Sequence, residues 1–120
     1  MRAPPAAMLS SSPQQPNLAG LIDEALRLTF EKGESDRQSL VENTVVSWVP
    51  TERQRLSDEL SDLLSARADG IQKAAIIKHE NGEDYSEATK QLEVLVDMTV
   101  QMKLLVRRLQ AAAAESSDES

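Results

Sequence analysis

The side chains able to do chemistry are few and scattered. His79 is the single histidine and there is no cysteine, so a metal centre would lack a second imidazole or a thiolate to complete its ligand set, and thiolate chemistry is absent. Carboxylates recur at helical spacing in Asp58, Glu59 and Asp62. General acid–base work by such a pair requires one carboxyl group to be desolvated until its pKa rises. These three share the polar side of their segment with Glu52, Arg53 and Arg55, which reads as a solvated helix face. No glycine-rich phosphate loop occurs, and no Ser/His/Asp set can be built around one histidine. The sequence calls for no catalytic residue, no cofactor and no metal. Met98 and Met102, one helical turn apart amid Leu95, Leu105 and Val106, remain: methionine adapts to partners, and it also fills gaps in cores.

Helical domains of the histidine-phosphotransfer type use one exposed histidine in mid-helix, with a lysine and a small residue a turn later. His79 is followed by Glu80, Asn81 and Gly82 at an expected helix end, where an imidazole has the simpler role of facing the negative end of the helix dipole. Ser116 and Ser117 precede Asp118 and Glu119, an arrangement that acid-directed kinases accept. A phosphate there only deepens an existing negative charge.

Composition narrows the partners. The net charge of -7 over 120 residues opposes general binding of DNA or RNA, which needs positive surface to release phosphate counterions. Lys103, Arg107 and Arg108 form the best basic patch, and cations near a helix C-terminus also favour its dipole. Asp97, Gln101 and Lys103 interrupt the most apolar run, so it falls short of the ~20 residues that cross a bilayer. The expectation is a soluble, intracellular protein, cytoplasmic or nuclear, without membrane insertion. The same acidity opposes a membrane-surface helix, whose polar face is usually rich in Lys and Arg. Met1 to Gly20 lacks acids, as an organellar presequence would, but Pro4, Pro5, Pro13 and Pro16 work against the amphipathic helix such a leader needs.

The elements that must position any site are helical. Residues 1–16, rich in Pro, Ser and Gln, read as a disordered tail. Asn17 is a good N-cap for a first helix with Leu18, Leu21, Ile22, Ala25 and Leu26 on one face, stopped by Gly33. Ser35 with Gln38 has capping-box spacing at the start of a second helix whose apolar face is Leu40, Val41, Thr44, Val45 and Trp48. Pro50 ends it, and Thr51 with Gln54 repeats the spacing before a long third helix to about Glu80. Gly70 lies inside that helix, as a hinge, a close backbone crossing or a tolerated weak point. Asn81-Gly82 is a strong stop, and Asp84 with Glu87 starts a fourth helix over about 84–112, ending in Ala111 to Ala114. The turn Gly82, Asp84, Tyr85, Ala88 resembles those of tetratricopeptide-type helical hairpins; it covers one turn, and no ~34-residue period recurs.

The fold expected is all-α: a long antiparallel helical hairpin, about 51–80 and 84–112, with two short N-terminal helices laid along it as a small bundle. The helical domain spans 17–114, and 115–120 reads as an acidic disordered tail. The fourth helix carries more apolar residues than a one-sided surface helix needs. This points to a non-catalytic interaction or scaffold subunit that associates with itself or with another protein through helix four. Trp48, Val94, Leu95, Met98, Met102, Leu105, Val106 and Leu109 are the expected interface residues. Val94, Val100 and Leu104 are the ones expected to remain bare once two short helices cover one side. The alternative is a small regulatory bundle that binds a ligand or carries a phosphoryl group.

Overall fold

The computed structural model describes residues 17–119, with side chains to Ala114; the expected tail over residues 1–16, the presequence reading and the serines of the acidic end lie outside the described side chains. Four α-helices make up the described residues: α1 (Leu18–Glu31), α2 (Glu34–Ser47), α3 (Arg53–Glu80) and α4 (Ser86–Glu119), with a 3-10 turn at Pro50–Glu52 between α2 and α3. They form the small all-α bundle expected, without a strand among these residues.

The ends of the helices explain its connections. Asn17 caps α1 by accepting the Gly20 N–H at 2.9 Å. At its other end Gly33, with φ of 127°, donates to Leu28 O at 2.8 Å while its own carbonyl accepts from Arg37 N at 3.3 Å. One glycine therefore closes α1 and opens α2. This overturns the expected capping box: α2 starts at Glu34 with no side-chain cap, Ser35 is already inside the first turn, and Gln38 Nε2 donates to Glu34 instead, at 3.2 Å. Thr51 and Gln54 fail as a capping box for a related reason. Pro50 opens the 3-10 turn, which feeds directly into α3, and Gln54 Nε2 turns to Asp58 at 3.1 Å.

The α3–α4 turn is a Schellman motif. Glu83 N–H reaches Lys78 O at 2.8 Å and Gly82 N–H reaches His79 O at 3.1 Å, with Gly82 at φ 75°. Asp84 then holds the entry to α4, accepting the Ser86 N–H at 3.0 Å and the Ser86 hydroxyl at 3.1 Å. These two bonds, with Lys78 nearby, hold the Asp84 carboxyl below the usual range. Helix α4 continues past its expected end at Ala114 to Glu119. Ala111 to Ala114 are strong helix formers, and residues 115–119 contain no Gly or Pro to break the ladder.

α3 and α4 pack along their length in antiparallel register. Ser57 Oγ sits 2.9 Å from Met102 Sδ, Leu64 and Ala68 lie beside Leu95 and Thr99, and Ala74 and Lys78 lie beside Glu87 and Ala88. Helix α1 packs on α2 and α3, and α2 packs on α1 and α4. The core is aliphatic, built from Leu21, Ile22, Ala25, Val41, Val45, Leu60, Leu64, Leu95, Met98 and Met102, with Trp48 at one end. Gly70 is an ordinary helical residue: a Cβ built there meets nothing within 4 Å, so the close backbone crossing is not the reason for it.

Candidate functional site

The residues expected to meet a partner lie in or against the core of the bundle. Trp48, Val94, Leu95, Met98, Met102, Leu105 and Val106 are all buried, and Leu109 is partly buried against the same cluster. They are the chain's own core. The reason is the arrangement of α1 and α2: two half-length helices stacked together act as one layer, so that α4 finds cover from α1, α2 and α3. Val94, expected among the bare residues, is enclosed with the rest, at 4% exposure.

Val100 and Leu104 stay bare as expected, and Val96 takes the place of Val94 beside them. Val96, Val100 and Leu104 recur every fourth residue on α4 and are 60%, 53% and 48% exposed. Beside them runs the outer groove between α3 and α4, on the hairpin side away from α1 and α2. One part of it is lined by Ser61, Ser65 and Ala68 from α3 and by Val96, Thr99 and Val100 from α4. The Thr99 hydroxyl donates to Leu95 O at 2.9 Å, which satisfies it on its own helix. A second part, toward the C-terminal half of α4, is lined by Gln54, Asp58, Lys103, Arg107 and Gln110. The groove thus grades from small and apolar to charged. Farther along α3, Ile76 and Ile77 are 51% and 57% exposed; Ile76 lies two turns beyond Ala68 on the same side.

Of the candidates for chemistry, Asp58 edges the charged end of this groove, and His79 stands apart from it. His79 is exposed at the C-terminal end of α3, with its ring edge-to-face on Tyr85 at 5.3 Å. Asp58, Glu59 and Asp62 are exposed, as expected of a solvated face. Among the described residues no three His, Cys, Asp or Glu side chains gather as a metal-binding group, and no helix is long and apolar enough to cross a membrane.

No known protein family, curated protein or solved structure matches this chain. The geometry is therefore the ground for any functional reading.

One buried group lies outside the residues the sequence singles out. Arg37 on α2 is 1% exposed, between Glu34 at 3.4 Å and Asp97 of α4 at 3.7 Å. Its Nε has no hydrogen-bond partner. Next to it Gln101 Nε2 donates to Gln38 O at 2.8 Å, so polar groups of α4 grip the start of α2. The signal was present: Arg37, Val41 and Val45 are spaced at i, i+4 and i+8, which puts the arginine in the apolar stripe.

Proposed function

We propose that this protein is a non-catalytic helical interaction module, and that its contact surface is the open face of the α3–α4 hairpin. The observation that carries the reading is the exposed line of Val96, Val100 and Leu104 on α4, whose first two members edge a groove of small side chains. Scattered single apolar side chains are normal on a surface, whereas a contiguous patch marks a contact site. The groove is shallow and open, a shape that suits helical protein surface rather than an enclosed small molecule. Chemistry is not required of such a module; it acts by holding another polypeptide.

The test is a photo-cross-linking scan in the cells that make the protein. A photoreactive residue replacing Val100 or Val96 is expected to give a discrete adduct, absent from the same probe at exposed Glu42 on α2. The Val100 adduct should be lost when Val96→Glu is added. Adducts at all three positions, or at none, would remove the reading.

A further inference from the structure

The open face has the size, shape and charge of a surface that fits itself, and we infer that its occupant is a second copy of this chain. The inference rests on the contact reading above and names the partner. Area comes first. From Gln54 to Ile76 the face runs about 33 Å at the helical rise of about 1.5 Å per residue, and two helices side by side span roughly 20 Å. That footprint, about 650 Å², is close to the roughly 800 Å² per partner of a standard stable interface. A lone helix would cover about half of it and leave the other half bare.

Shape comes next. The two halves of the face differ: α3 offers Ser61, Ser65 and Ala68, which are small and leave hollows, while α4 offers Val96 and Val100, which protrude. A two-fold axis parallel to the helices places α3 of one copy over α4 of the other at the same height. Each valine then enters the hollow of the other copy, and the contact is made twice, as an isologous interface requires.

Charge follows the same division. Asp58 stands on the α3 side of the groove, and Lys103 and Arg107 on the α4 side. The ion pairs of the described residues engage Arg27, Arg37, Arg55, Arg67 and Lys73. Lys103 and Arg107 are left without a carboxylate among those residues. The axis that seats the valines brings Asp58 of one copy to the level of Lys103 of the other, in both directions. Opposite charges so placed fix register and speed encounter.

The test is sedimentation equilibrium of the purified full chain across a range of concentrations, with circular dichroism and Trp48 fluorescence to confirm that each variant is folded. A dimer at low micromolar concentration is expected, weakened at least about tenfold by Val100→Glu, since a buried unpaired carboxylate is placed at the centre of the face. Lys103→Glu should weaken it by several-fold and Asp58→Lys with Lys103→Glu should restore it. A monomer up to about 100 µM, a dimer indifferent to Val100→Glu and to the charge exchange, or open-ended association would each overturn the inference. A monomeric pure protein that still gives the position-specific adducts in cells would overturn self-association alone and leave the contact reading standing; absence of both would end both.

Discussion

Replacing Arg37 by methionine tests whether the buried guanidinium holds the bundle together or merely occupies space in it. Its attraction to Glu34 and Asp97 acts over 3.4 and 3.7 Å, beyond the ~2.7–2.9 Å of a strong charge-assisted bond. Each pair has a gross Coulomb energy of about 4–5 kcal/mol at an effective dielectric constant of ~20. Both carboxylates face solvent, with side chains 64% and 57% exposed, so screening and their freedom to move remove most of that. Against it stand several kcal/mol of desolvation of the guanidinium and about 1–3 kcal/mol for the unpartnered Nε–H. The balance is near zero. Arg37→Met keeps the stem length and removes the charge, so its stability should lie between unchanged and about 2 kcal/mol higher. Arg37→Ala leaves a hole among Val41, Val45 and their neighbours and should cost about 2–4 kcal/mol. Urea denaturation followed by circular dichroism, with Trp48 emission as a second probe, gives both values. If the methionine variant is destabilised as much as the alanine variant, the charge itself is stabilising and the reasoning fails.

Further expectations follow from single sites. Gly70→Ala has open space and a helical backbone, so it should stabilise by about 0.5–1 kcal/mol; a loss in thermal denaturation would restore the hinge reading. Gly82→Ala forces a Cβ onto φ 75° and should cost about 1–2 kcal/mol, seen as a lower urea midpoint. Met98→Ala, at a fully buried position, should cost about 2–5 kcal/mol, and a neutral result would mean that Met98 is not in the core. The lowered Asp84 carboxyl contributes stability that is present above its unfolded pKa of about 3.9 and is lost as pH falls through the depressed folded value. Asp84→Ala should therefore be less stable than the parent at neutral pH, with the difference closing on acidification below about pH 4; a difference that persists unchanged at the acid end contradicts the assignment of the cap.

The sequence by itself determined the helices and their stops. Asn17, Gly33, Pro50 and Asn81-Gly82 act through local backbone chemistry, and they fall where the structure ends or begins its helices. Capping boxes were less legible, because Ser35 and Thr51 have the right spacing but their slots are taken by Gly33 and by the Pro50 turn. α4 runs beyond its expected end, since an alanine run signals helix without signalling where it stops. Only the tertiary structure decided which side of α4 is covered. Periodicity reports how much of a helix is apolar, whereas cover depends on which neighbours arrive: α1, α2 and α3 enclose Val94, Leu95, Met98 and Met102 and leave Val96 outside with Val100 and Leu104. The same packing buried Arg37, whose spacing with Val41 and Val45 was visible but whose surroundings are supplied by a residue as distant in sequence as Asp97.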